Sequence, residues 1–327
     1  MKQFKNILCI VDLEKGHKQV LERAVTLAEN NHANLTVTTV ASSSSTNIGV
    51  LERAFISTDL QVTILNNFKQ ELENLVKPYC QGINIETRIL TGTPFLEIIR
   101  EVLRNAHDLV IKCPASRDWL GHLFSSDDKN LLRKCPCPVW MVRPNTGESF
   151  DRVLAAIDLN DSYPSKELKT RHFLNEMVMD LGSSLVVSEF ADLHVVHAWE
   201  AVGESELRHG AFMQRPADEV NAYVDQARQH HTQLLDTFMK EINNKLGEDT
   251  ANYINPRLHM TKGSVCKVIP ELAKELQVDC IVMGTVARTG VPGLFMGNTA
   301  ETILDQLECS VLAIKPSDFV TPVALED

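Results

Sequence analysis

Two kinds of apolar run alternate along the chain. Short unbroken runs such as Ile7-Leu8-Cys9-Ile10-Val11, Leu109-Val110-Ile111 and Ile281-Val282-Met283 show no polar face, which is the pattern of strands buried on both sides. Between them lie stretches whose apolar residues recur three and four apart: Val20, Ala24, Leu27 and Ala28, or Leu234, Leu235, Phe238 and Ile242. That spacing predicts amphipathic helices. Strands alternating with helices predict an α/β fold whose parallel sheets are covered on both faces.

The same succession occurs twice. A buried run ending in aspartate, Ile7 to Asp12, is matched by Val153 to Asp158. A helix pattern at Phe95 to Arg104 followed by the run from Asp108 is matched by Val265 to Leu276 followed by the run from Asp279, and Gly92 and Gly263 precede the two helices. Closing runs stopped by proline, Cys137 to Pro144 and Cys309 to Pro316, complete the match. An internal repeat of this length predicts two similar domains, here residues 1–146 and 151–316, with 317–327 as a tail. The linker falls where Asn145-Thr146-Gly147-Glu148-Ser149 has turn composition. The interval from Asp158 to Gly263 is longer than that from Asp12 to Gly92, and the surplus includes 200–221, read as a long loop able to cover a site. Pro270 interrupts the second helix pattern and leaves open whether its first turns are irregular or the helix kinks.

Length and charge narrow the functional classes. A chain of 327 residues can bury two cores of ordinary size. Its formal net charge of −11 opposes direct nucleic-acid binding, which rests on neutralising phosphates with Lys and Arg. The N-terminus runs straight into a strand too short for a signal core or a membrane span, so a cytoplasmic protein off the membrane is expected. Cys9, Cys113 and Cys280 lie in or beside apolar runs and are expected to pack as inert thiols. Cys135 and Cys137 have one residue between them, not the two of the thioredoxin-type pair, so neither redox nor metal chemistry is expected there.

The stretch Ile281-Val282-Met283-Gly284-Thr285-Val286-Ala287-Arg288-Thr289-Gly290, followed by Gly297-Asn298-Thr299-Ala300-Glu301 and the Cys309 run, resembles the C-terminal signature of the universal stress protein family. The first half keeps the same anchors, so the resemblance extends over nearly the whole chain. It implies two five-stranded parallel sheets with helices on both faces, related by an internal pseudo-two-fold through their final strands. It also implies ligand binding at the C-terminal strand ends. The expected arrangement is an internal pseudo-dimer, with the runs Val139 to Val142 and Val311 to Ile314 meeting, that needs no second chain.

Nucleotide-binding members of the family carry a glycine loop, and Gly284 and Gly297 hold its outer positions while Ala287 replaces a glycine and Asn298 a hydroxyl residue. The resemblance makes Asp158, Gly284, Ala287, Gly297, Asn298 and Thr299 the candidate binding residues for ATP or another adenine nucleotide. Glycines let amides approach phosphate, and Asp158 can accept bonds from base or ribose. Two of these residues also have a plainer reading: Asn298 with Glu301 fits a capping box, and Asp158 fits a turn-capping strand end. An apolar or lipid-like ligand under the long loop, lined by Phe212 and Met213, is the alternative. In the first half, Cys113-Pro114-Ala115-Ser116 stands at the glycine loop and Ser125-Ser126-Asp127-Asp128 at the helix start, where the acids oppose phosphate.

No P-loop, nucleophile elbow or kinase motif is present. No catalytic residue or metal ligand is assigned. His194 and His197, three apart on a strand, point to opposite faces, and His230-His231 reads as a solvated helix face. The expected function is stress-response binding and signalling through a small-molecule ligand in the second domain and a protein partner of unknown identity, not enzymatic catalysis. Weak ATP hydrolysis is the competing class.

Overall fold

The structure, a computed structural model, describes residues 4–13, 18–41, 58–114, 123–144, 147, 149–211, 213–285 and 296–325. The chain divides into two compact units, Asp151–Gly284 and Lys2–Phe150 together with Thr285–Asp327. The division differs from the sequence repeats at one end, because the closing segment of the second repeat is compact with the first.

The larger unit carries β1 (Asn6–Ile10), α1 (Lys18–Asn31), β2 (Asn34–Ala41), α2 (Thr58–Val76), β3 (Ile85–Thr91), α3 (Pro94–Asn105), β4 (Leu109–Lys112), α4 (Ser126–Lys134) and β5 (Val139–Met141). Its sheet runs β3-β2-β1-β4-β5, all parallel, with the runs Ile7 to Ile10 and Leu109 to Ile111 fully buried. Next to β5 lies β10 (Ser310–Ile314), preceded by α10 (Asn298–Leu304). β10 is antiparallel to β5, with Trp140 opposite Leu312 and Val139 opposite Ala313. The two closing strands of the repeats therefore meet, and each covers an edge the other would expose.

The unit Asp151–Gly284 carries β6 (Arg152–Ile157), α5 (Ser165–Glu189), β7 (Asp192–Trp199), α6 (Glu204–His209), α7 (Ala217–Leu246), α8 (Glu248–Ile254), β8 (Arg257–Lys262), α9 (Val265–Glu275) and β9 (Cys280–Gly284). Its parallel order is β9-β6-β7-β8, so four strands, not five, belong to it. The stretch expected as a long loop at 200–221 instead holds α6 and the start of the 30-residue α7. α6 is tied down by Glu204, which pairs with Arg208 at 2.9 Å and Lys262 at 2.5 Å. Helical order is the physical reason the segment is not an open flap. α9 begins after Ser264 and continues through Pro270, so its first turns are regular.

Equivalent residues do equivalent work in the two repeats. The Asp108 carboxylate accepts the backbone N–H groups of Lys5 at 2.7 Å and Asn6 at 3.0 Å; that of Asp279 accepts those of Asp151 at 2.8 Å and Arg152 at 2.9 Å. Each acid thus fixes the first residues of a central strand before the ladder starts. Two residues ahead, Ala106 and Gln277 turn the chain out of the preceding helix in the left-handed region, at φ 51° and 50°. Gly92 and Gly263 follow β3 and β8 at φ 131° and 139°, a backbone shape open to glycine alone at little cost.

Candidate functional site

Asp158 follows β6 directly and is held from two directions. Its backbone N–H donates to Asn175 Oδ1 at 3.0 Å, and Asn175 Nδ2 donates back to its carbonyl at 2.7 Å. Its carboxylate accepts the N–H of Asn160 at 3.1 Å and pairs with Arg171, whose guanidinium also bonds Glu167 and lies 3.6 Å over the Tyr163 ring. The turn-capping reading of Asp158 therefore holds, and the carboxylate side chain keeps 39% exposure. Sequence reasoning missed Arg171. Its signal was an arginine one helical turn after Glu167 on the helix that follows the strand-end acid.

The remaining candidates divide between the units. Gly284 ends β9 beside Leu174, where an added Cβ would find ordinary contact at 3.6 Å. Gly297 is the N-cap of α10, its own N–H donating to the Thr285 carbonyl at 3.0 Å. Asn298 and Thr299 are the first two helical residues. The capping box expected from Asn298 does not form, because Asn298 lies inside the helix and the Glu301 carboxylate pairs with Arg133 instead. Ala287 lies outside the described residues, as does Phe212. Met213 is 61% exposed.

The corresponding helix start in the first repeat is filled by its own acid. Ser125 caps α4, and its Oγ accepts the Asp128 N–H while Asp128 Oδ2 accepts the Ser125 N–H at 3.0 Å, a complete capping box. The second oxygen of Asp128, fully buried, receives Lys112 Nζ at 2.7 Å from the end of β4. A carboxylate thus stands where an anion would need the helix amides.

Two contacts in the unit Asp151–Gly284 each join a buried histidine to a half-buried one. His194 Nδ1 meets His259 Nε2 at 2.9 Å with the rings stacked, and His197 Nε2 meets His231 Nδ1 at 3.0 Å on the other face of β7. The opposite-face reading of His194 and His197 holds. The solvated-face reading holds for His230, exposed and bonded to Asp161 at 2.8 Å, but not for His231, which packs on His197 and Trp199. Burial, and next the neighbouring His231, pushes His197 down to about 4. A neutral, paired imidazole is a packing element here.

A polar cavity of about 330 Å³ lies in the other unit at the N-terminal strand ends, lined by Asn34, Asn84, Glu86, Arg88, Asn105 and His107. It is at the end of the sheet opposite to that implied for a ligand by the family resemblance. Among the described residues no helix is long and apolar enough to cross a membrane.

Comparison with known proteins agrees with this architecture. The model of the universal stress protein family matches residues 3–143 and again 149–315. Universal stress protein E of Escherichia coli K12 is 30% identical over all of this chain and 99% of its own length; the universal stress protein E homolog of Haemophilus influenzae is 28% identical, covering 96% and 98%. Among solved structures, a putative universal stress protein from Pseudomonas aeruginosa UCBPP-PA14 shares the fold with a TM-score of 0.67 at 24% identity, covering 96% of this chain and 94% of that one. One from Archaeoglobus fulgidus gives a TM-score of 0.59 at 18% identity, covering 97% and 98%. Two family matches in tandem, on the two sequence repeats, place this chain in the universal stress protein family.

Proposed function

We propose that this chain is a cytoplasmic stress-response binding and signalling protein whose second repeat takes an adenine nucleotide such as ATP. In this reading Asp158 faces the base or ribose, and Gly284, Ala287, Gly297, Asn298 and Thr299 form the phosphate loop. The observation that carries it is the contrast between the two helix starts. Asp128 fills that of the first repeat, whereas Gly297 presents no side chain at that of the second and the nearest acid, Glu301, is engaged by Arg133. The Gly297 N–H is already used by Thr285, so the amides of Asn298 and Thr299 are the phosphate donors in this scheme.

The domains are proposed to be 1–146 and 151–316, with 317–327 as the tail. Binding, not catalysis, is the output, relayed to a protein partner. Calorimetric titration with ATP of wild-type protein and of the Gly297→Asp and Ser126→Asp variants, each checked by circular dichroism, tests the reading. Loss of binding in Gly297→Asp alone supports it. Equal loss in both variants, or no binding by the wild type at millimolar ATP, overturns it, and steady hydrolysis on the order of one per second would replace it with an enzyme.

A further inference from the structure

Lys315, the residue after β10, is buried yet has no carboxylate partner among the described residues. Its Nζ donates to the Leu132 carbonyl at 2.5 Å and to Thr285 Oγ1 at 3.0 Å, and lies 5.0 Å over the Phe319 ring. An ammonium taken out of water without an anion is costly. The groups whose charge acts on it are two buried thiols, Cys135 at the C-cap of α4 and Cys137 just before β5. Their sulfurs are 3.6 Å apart. A disulfide needs about 2.05 Å between the sulfurs, so the pair must move closer by roughly 1.5 Å to close.

We propose that Cys135 and Cys137, with sulfurs 3.6 Å apart near the buried ammonium of Lys315, form a peroxide-sensitive dithiol. Burial opposes ionisation of Cys135, but the Cys137 hydrogen bond and the Lys315 charge outweigh it and bring the thiol below its ordinary value. The hydrogen bond to Cys135, with burial next, pushes Cys137 up, so Cys135 is the readier of the two to ionise and attack. Burial lowers Lys315 to about 8, so it stays mostly charged at neutral pH. The pair lacks Cys-x-x-Cys spacing, yet its sulfurs lie 3.6 Å apart, which makes it a redox candidate against the expectation from sequence.

The chemistry balances with hydrogen peroxide as oxidant. The Cys135 thiolate attacks one peroxide oxygen, the O–O bond breaks, and hydroxide leaves to take a proton, giving a sulfenic acid at Cys135 and water. Cys137 then attacks the Cys135 sulfur, an S–S bond forms, the S–O bond breaks, and the Cys137 proton leaves with the hydroxyl as a second water. The sulfurs lose two electrons and the peroxide gains them. Both cysteines are buried, so oxidation follows local opening and is slower than that of the exposed Cys80.

The test is hydrogen peroxide treatment of the full chain at pH 7, followed by alkylation and mass spectrometry of the peptide that holds both cysteines. The expected result is a loss of two hydrogens in that peptide, restored by dithiothreitol. Cys137→Ser should instead trap a sulfenic acid at Cys135 that reacts with dimedone, and Lys315→Met should slow oxidation about tenfold by lowering the thiolate fraction. A peptide that stays a dithiol while Cys80 oxidises, or a Cys137→Ser protein that folds but gives no dimedone adduct, overturns the proposal. An unchanged oxidation rate in folded Lys315→Met overturns the role of the lysine.

Discussion

The Nζ of Lys112 lies 2.7 Å from Oδ1 of Asp128, a residue with no exposed surface. One carboxylate closes a capping box, neutralises a lysine from the end of β4, and occupies the anion position of the first repeat. Asp128→Ala should therefore cost about 3 kcal/mol, since it strands a largely buried ammonium and removes a cap at once. Urea denaturation would measure it. A cost below 1 kcal/mol would show that water reaches the pair.

The paired histidines set a second expectation. His197 protonates near 4 in the fold against an ordinary 6.5, and His194, His231 and His259 are lowered too, with burial as the first cause for each. The unfolded chain thus binds these protons first. Their contribution is complete above about pH 6.5 and is lost as the pH falls towards 4, on the order of 3 kcal/mol for His197. His197 faces His231 and feels Asp158, which opposes the shift in part. Denaturation midpoints between pH 7 and 4.5 should fall steeply in the wild type and less steeply in His197→Gln; parallel slopes would refute the assignment.

Two glycines should respond differently to alanine. Gly263 sits at φ 139° with an added Cβ 3.2 Å from Val268, so Gly263→Ala should cost about 1–3 kcal/mol. Gly284 has room beside Leu174, so Gly284→Ala should change stability by less than about 0.5 kcal/mol. If Gly284→Ala weakens ATP binding without loss of stability, the glycine serves the ligand and not the fold.

Asp108 and Asp279 each hold two strand-entry amides, so alanine at either should cost about 2 kcal/mol, and the two costs should agree within a factor of two. Matched costs measured by chemical denaturation would express the internal repeat as energy. A negligible cost at one of them would mean that its amides find water instead.

Much of this was legible in the chain. Unbroken apolar runs and helical spacing gave the strands and helices, and repeated Asp, Gly and Pro anchors gave the tandem, because buried parallel strands and positive-φ turns leave few residue choices. The site was less legible. Asn298 looked like a cap because Ser/Asn-x-x-Glu signatures do not reveal whether the acid is wanted elsewhere, and Arg133 takes Glu301. The segment 200–221 looked like a loop because its helix is stapled by charges and not by an apolar stripe. Partners distant in sequence, such as Lys315 with Thr285 and Leu132, leave no local pattern at all.

The pairing of β5 with β10 gives the chain a timetable. During synthesis the edge of β5 emerges with Met141, but its antiparallel neighbour begins only at Ser310. At about 5–20 residues per second the ribosome needs on the order of ten seconds or more to deliver it. For that interval the nascent first repeat shows an open, apolar strand to the cell, and a message truncated anywhere before β10 would leave it open for good.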